Sequence, residues 1–383
     1  MYAIKRQIAA AAGLALAAAL TGCGGGNSDS SSSGGDIPVG VMQDLSGPLG
    51  AFGNLELQGI QIAADQINAD GGVLGKKIKL VEQDLASNQA NVSSGLSKLR
   101  SEKVVGILGP TSSTALQIAS PLAQSYGMPM IAPTSNEEFA SGVLNKWVHR
   151  IAPVGTKIFS PSMEGMLKAA GNPKRLAVFS DPTQNVNQQQ LSLVKDGAKD
   201  LGYGIVATVS SPAGQTDVSS AVSKVLASNP DVIYMNHGVA ESAAFMKMVR
   251  ERGSEVPFIG GVTFSSLKTF ELAGSAGDGA LTWVPFLPSS GDPVSKKFID
   301  AYSKKFGEAP DAIAAEAHDS MLVLTAALKK AGSTDAAKIV SAFDGLKVVG
   351  VLGPISYKAG ESDNSTATVQ VVRIKDGAYV KVE

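Results

Sequence analysis

The sequence predicts an α/β protein built as two doubly wound parallel-sheet lobes joined by a three-segment hinge. Three observations carry that expectation. From residue 37 onward, short apolar runs rich in β-branched residues alternate with helical stretches, the rhythm of parallel βα layers. The alternation runs twice, over 37–151 and again over 155–286, which suggests two similar lobes with a cleft between them. No linker-like composition separates the halves, so the crossings must be short, near residues 153–155, 285 and 353–358. They divide the chain into an N-terminal lobe of 37–153 plus 286–353 and a C-terminal lobe of 154–285 plus 354–383. A chain of 383 residues suffices for two such cores.

The first 36 residues stand outside the fold. Lys5 and Arg6 precede a short apolar stretch over 8–20, and Leu20-Thr21-Gly22-Cys23 resembles the bacterial lipoprotein cleavage box. Residues 1–22 thus read as a signal peptide, Cys23 as a diacylated first mature residue, and 23–36 as a Gly/Ser tether. Cys23 is the single cysteine, so an internal disulfide is excluded. The expected location is extracytoplasmic, on the periplasmic side of a bacterial membrane and held there by lipid.

In the first half, strands are predicted over 37–43, 77–83, 104–108, 128–132 and 147–151, with helices over 54–69, 87–102 and from 115 on. The second half places strands over 175–180, 204–209, 231–235, 256–260 and 281–286 between helices over 155–170, 187–201, 217–228 and 239–252. Helices over 293–307, 311–331 and 334–344 should return to the first lobe. Strands near 355–357, 367–374 and 378–382 should return to the second, with Asp376-Gly377 as a hairpin turn.

The strands over 104–108 and 128–132 organise the rest. Each ends in a hydroxyl-rich loop: Gly109-Pro110-Thr111-Ser112-Ser113-Thr114, then Pro133-Thr134-Ser135-Asn136. Ligands of open α/β sheets bind beyond the carboxyl ends of the strands. Two such loops side by side would bring hydroxyls, an amide and free helix N-terminal N–H groups to one spot, which suits a carboxylate. Ser112, Ser113, Thr134, Ser135 and Asn136 are the candidates on this side, and Phe52, between glycines after the first strand, is a candidate pocket wall.

These residues also carry a resemblance. Leu45-Ser46-Gly47-Pro48 with Phe52-Gly53, the helix end Ile67-Asn68-Ala69-Asp70-Gly71-Gly72-Val73-Leu74-Gly75, Gly109-Pro110-x-x-Ser113, Ile131-Ala132-Pro133 and Leu352-Gly353-Pro354-Ile355 occur in the order and spacing of one family. The chain resembles the leucine/isoleucine/valine-binding proteins, the solute receptors of branched-chain amino-acid ABC transporters with the type I periplasmic binding fold. The resemblance implies a monomeric receptor that closes on one small carboxylate solute and presents it to a membrane permease, with no cofactor. It implies that Ser113 binds the α-carboxylate, that Thr134 and Asn136 assist, and that Phe52 packs on the ligand. The second lobe would cover the ligand with loops at Asn185, at Asn236-His237-Gly238 and at Val262-Thr263-Phe264, and His318 stands where the family has a tyrosine.

One departure bears on the ligand. Amino-acid-binding members pair the ligand's ammonium with an acidic residue of the second lobe, and the matching positions here are Val262 or Thr263, with Gly155 at another acidic position. A buried ammonium without an anion costs several kcal/mol. Unless Asp44, Glu137, Glu138 or Asp181 supplies the charge, the ligand would be an organic or aromatic acid without an amine. A sensor that hands its solute to a membrane signalling protein is a further alternative.

Catalysis is not expected. The chain has no G-x-S-x-G elbow, H-E-x-x-H, P-loop or strand-linked G-x-G-x-x-G, and its three histidines form no metal pattern. A formal net charge of −1 points to neither nucleic acid nor an anionic membrane surface as a partner.

Overall fold

A computed structural model describes residues 35–134, 143–261, 264–288 and 293–382. The first half contains β1 (Ile37–Gln43), α1 (Gly50–Ala69), β2 (Ile78–Asp84), α2 (Asn91–Ser101), β3 (Ile107–Leu108), α3 (Ser113–Tyr126), β4 (Met130–Ala132) and β5 (Val148–Arg150). Its strands form one parallel sheet in the order β2-β1-β3-β4-β5. The second half contains α4 (Gly155–Ala169), β6 (Arg175–Ser180), α5 (Asn185–Asp196), α6 (Ala198–Leu201), β7 (Gly204–Ser210), α7 (Ser219–Ala227), β8 (Val232–Asn236), α8 (Val239–Glu251), β9 (Phe258–Gly260), α9 (Leu267–Ala273) and β10 (Leu281–Val284). The chain then runs through α10 (Pro293–Phe306), α11 (Ala312–Ala331), α12 (Ala336–Ala342), β11 (Lys347–Gly350), β12 (Gly353–Ser356), β13 (Gln370–Lys375) and β14 (Ala378–Lys381).

The second sheet has the order β14-β13-β10-β9-β8-β6-β7. Its β6–β10 core is parallel, and β13 joins antiparallel to β10 before turning into β14. Asp376 and Gly377 both take positive φ at that turn, the backbone of a two-residue hairpin. Both sheets are covered on both faces, as their unbroken apolar runs require. In β6, Leu176 and Val178 enter one core cluster while Ala177 and Phe179 enter the other, the period-two alternation of a strand buried on both sides.

Helices α11 and α12 pack on the first sheet, whereas Phe298 and Tyr302 of α10 lie in the core cluster that holds Phe179 and Phe245 of the second half. Ile60, Ala63, Ala64 and Ile67 of α1 share a core with Ala317, Met321 and Leu324 of α11. The end of the chain differs from expectation. A β11–β12 hairpin, absent from the sequence reading, packs Ile355 and Tyr357 into the first lobe's core with Ile37, Val39 and Phe343. The 355–357 strand therefore belongs to the first lobe. Asp319 explains the placement: its fully buried carboxylate accepts the Val351 and Leu352 N–H groups at 3.0 and 2.9 Å, tying the hairpin to α11. Downstream, Arg150 pairs with Asp363 at 2.5 Å, and Asn364 donates to the Ile151 carbonyl, so the chain stays beside β5 to residue 364.

Gly59 sets the α1–α11 spacing, because a Cβ there would collide with the Ala314 carbonyl oxygen. Replacing a helical glycine by alanine ordinarily stabilises by about 1 kcal/mol. Here Gly59→Ala should instead cost about 1–3 kcal/mol, as overpacking does. Urea unfolding of both proteins checks the sign, and a variant as stable as the parent would show that the helices part freely.

Candidate functional site

The carboxyl ends of strands from both sheets converge on one pocket, whose lining encloses about 720 Å³ with its open mouth included. From the first lobe come Pro48, Leu49 and Phe52 after β1, Thr111, Ser112 and Ser113 after β3, and Thr134 after β4. Asp181, Gln184, Val186 and Asn187 follow β6, Ala213 follows β7, and Gly238 and Glu241 follow β8; Ile313 comes from the first turn of α11. The two walls meet where the Asn185 N–H donates to Thr114 Oγ1 at 3.3 Å.

On the first wall the hydroxyls divide their work. Ser112 caps α3, its Oγ accepting the Ala115 N–H at 3.0 Å, so it serves the helix. Thr111 Oγ1 lies 2.8 Å from Gln43 Oε1 and 2.6 Å from Glu56 Oε2, and the Thr134 hydroxyl donates to Glu56 Oε1. Ser113 Oγ makes no hydrogen bond among the described residues and is only 5% exposed. It lies at the start of α3, where the first N–H groups lack intrahelical acceptors. A solute carboxylate placed there would meet a free hydroxyl and the positive end of a helix.

Glu56, one turn along α1 from Phe52, lies fully buried beneath this wall. Burial pushes its carboxyl up to about 7 against the hydrogen bonds from Thr111 and Thr134, and the carboxyls of Asp44 and Asp311 push it further. Asp44 is pushed up to about 6, chiefly by burial, although the Ser87 N–H bonds to it at 2.7 Å.

The second wall is rich in acceptors. Asp181 is 2% exposed, and its Oδ1 accepts both the Thr183 N–H at 2.8 Å and the Thr183 hydroxyl at 2.6 Å. Glu241 is 3% exposed, in the first turn of α8, and its Oε1 accepts the Gly214 N–H. Burial works to raise the Glu241 carboxyl, but His237 and the N–H groups of Glu241 and Gly214 outweigh it and hold the group below its ordinary value. Asn187 Oδ1 is buried without a partner, while the neighbouring Asn236 Nδ2 donates to the Asn187 carbonyl at 2.7 Å.

The structure therefore brings together Ser112, Ser113, Thr134, Phe52 and Gly238 of the residues chosen from sequence. Asn185 reaches the cleft through its backbone, and its neighbours Gln184, Val186 and Asn187 supply the lining instead. Three candidates are placed elsewhere. Phe264 is fully buried against Phe270 at 5.1 Å between ring centroids, a core contact. His318 points from α11 to Asp319 and Gln66 and packs on Phe298, away from the pocket. His237 turns behind the wall: it stacks on Phe179 and its Nε2 lies 2.8 Å from the Ser211 carbonyl. Cys23, Ser135, Asn136, Val262 and Thr263 lie outside the described residues, as do Glu137 and Glu138. Sequence reasoning missed Glu241 and Asn187, which stand in the first turns of helices that follow strands; Glu56 is four residues from Phe52, on the same helix face.

With this geometry in view, a family model described as periplasmic binding protein matches residues 36–378. The chain belongs to the periplasmic binding protein family. It is 26% identical over 324 residues to the Leu/Ile/Val/Thr-binding protein of Salmonella typhimurium, covering 84% of this chain and 87% of that one. Among solved structures, a branched-chain amino acid transporter substrate binding protein from Streptococcus pneumoniae, in complex with isoleucine, superposes with a TM-score of 0.79 at 25% identity, covering 91% of this chain and 100% of that chain. A solute binding protein of an ABC transporter from R. palustris, in complex with benzoate, has a TM-score of 0.81 at 19% identity over 91% and 96% of the two chains, a likeness of fold. The two-lobed α/β architecture is thus that of the type I periplasmic binding proteins.

Glu56 should be visible in the pH dependence of stability. Its folded value lies above the ordinary 4.5, so it stabilises fully below 4.5 and loses that contribution as pH rises toward about 7. Glu56→Gln keeps a donor and an acceptor for the two threonines and should remove a fall on the order of 2 kcal/mol across that window. Urea unfolding between pH 4.5 and 8 checks this. Asp44 titrates with the same sign in both proteins, so parallel curves would mean that Glu56 is not the group responsible.

Proposed function

We propose that this protein is the extracytoplasmic solute-binding component of an ABC importer of the branched-chain amino-acid type, and that it binds an α-amino acid in the interlobe pocket. The observation that carries the reading is the opposition of two half-sites. Ser113 and the N-terminus of α3 offer donors on one wall, while Asp181 and Glu241 offer buried carboxylates on the other. Between them Leu49, Phe52, Val186, Ala213 and Ile313 make an apolar middle. That is the polarity of a zwitterion with an apolar side chain, and the names of the relatives support the same class.

In this reading the solute's carboxylate docks on the first lobe and its ammonium on the second, so the ligand links the lobes. Hinge closure buries it, and the permease takes it from the closed receptor. The pocket acts by binding alone. A lipid on Cys23 would hold the receptor near its permease.

The amine-free acid reading has the benzoate-bound neighbour in its favour. Its premise is that no acid, Asp181 included, faces the ligand's amine. Asp181 and Glu241 in the lining count against it, because a ligand without a cation would leave both carboxylates without a cationic partner from the solute.

A thermal-shift comparison separates the readings. Leu, Ile and Val are set against the same skeletons without the amine, and against benzoate. A ligand at 100 times its dissociation constant adds about 2.7 kcal/mol. Stabilisation by amine-free acids alone would overturn the amino-acid reading. For the best ligand, Ser113→Ala should cost about 1.5–3 kcal/mol of binding, the range for a hydrogen bond to a charged group. Titration calorimetry measures it, and an unchanged affinity removes Ser113 from the site.

A further inference from the structure

The charge of the pocket is out of balance with a neutral amino acid. Its lining carries two acidic side chains, Asp181 and Glu241, and no Lys, Arg or His among the described residues. A neutral amino acid brings one negative and one positive charge. Closed around it, the pocket would hold two carboxylates facing a single ammonium on one wall, with the ligand's carboxylate already engaged by Ser113 on the other. An uncompensated charge in such a site is costly, and charge complementarity discriminates between ligands.

The second wall is also built to keep its acceptors directed at a ligand. Asp181 Oδ1 takes both Thr183 donors, and Oδ2 makes no hydrogen bond among the described residues. Glu241 Oε1 takes the Gly214 N–H, while Oε2 lies beside the Gly238 backbone, where a Cβ would approach it to 2.9 Å. Glycine at 238 therefore leaves Oε2 its room. His237 Nδ1 is 3.7 Å from Oε2 and accepts the Gly238 N–H at 2.9 Å, and its Nε2 faces the Ser211 carbonyl, so the imidazole approaches Glu241 from behind the wall and does not line the pocket. Asn187 Oδ1, buried and unpartnered, adds a third acceptor. Ala213 and Gly238 are the small residues of this wall.

We infer that the preferred solute is a cationic amino acid, whose carboxylate meets Ser113 and whose two cationic groups meet Asp181 and Glu241. This deepens the amino-acid reading above and rests on it. A guanidinium or second ammonium gives each of the two second-wall carboxylates a cationic partner, lowers the net negative charge of pocket plus ligand by one, and supplies donors for Asn187 as well.

Titration calorimetry with the protein at low salt tests this, with arginine, lysine and ornithine against leucine and isoleucine, and benzoate as the amine-free arm. At least one cationic amino acid should bind tenfold or more tightly than leucine. Glu241→Gln keeps an acceptor for Gly214, and Asp181→Asn one for Thr183; each should weaken the cationic ligand at least tenfold while narrowing its advantage over leucine. Leucine or isoleucine binding as tightly as every cationic amino acid overturns the inference and leaves the amino-acid reading standing. Binding of benzoate alone overturns both. The ranking on the unsubstituted protein decides the matter even where a variant fails to fold.

Discussion

Burial of both sheets on both faces is the constraint on which the site depends. Leu176 and Val178 occupy one core and Ala177 and Phe179 the other, so no face of β6 is left to meet a solute. Polar chemistry is confined to the strand ends, where loops turn into helices and backbone groups lack ladder or helix partners. Two sheets whose strand ends face one cleft supply two such rims. The pocket is what remains between them.

The first rim is held in order by an acid buried with no basic partner among the described residues. Glu56 sits beneath Thr111 and Thr134 and engages both hydroxyls. Close α1–α11 packing sets it near Asp311 and Glu316, which burial likewise raises, and Glu316 further by the carboxyls of Glu56, Asp311 and Asp319. Buried acids of this kind persist by holding protons and by hydrogen bonding to hydroxyls rather than by ion pairing. The arrangement turns two of the three lining hydroxyl side chains near Ser113 to structural work, and Ser112 caps a helix. Ser113 is left as the free donor because its neighbours are committed.

Much of this was legible in the sequence. Parallel strands buried on both faces read as short apolar runs, and the loops after β3 and β4 announced themselves by their hydroxyls. The β11–β12 hairpin was not legible, because Lys347–Gly350 has two apolar residues and owes its place to the Asp319 carboxylate, a contact distant in sequence. Side-chain direction was the other blind spot. His237 and Gly238 are adjacent at one strand end, yet the glycine lines the pocket while the imidazole stacks behind it on Phe179. Phe264, four residues after the end of β9, turns inward to Phe270. Glu241 escaped notice because its carboxyl is placed by the Gly214 N–H, from a loop 27 residues upstream.

The two rims differ in sign, and that difference bears on how a receptor of this shape selects. Donors lie on the lobe that carries Ser113, and acceptors on the lobe that carries Asp181 and Glu241. A solute that satisfies only the donors would rest on the first lobe, but closing the second lobe over it would leave the Asp181 and Glu241 carboxylates without a cationic partner from the solute. A solute with cationic groups at its far end turns that penalty into charge-assisted hydrogen bonds, which are stronger than neutral ones. On the cationic-ligand inference, selectivity would be exerted at closure rather than at first capture. The apolar middle formed by Phe52, Val186 and Ile313 would contribute affinity to many solutes, and the carboxylates of the second wall would decide which of them the lobes can close upon.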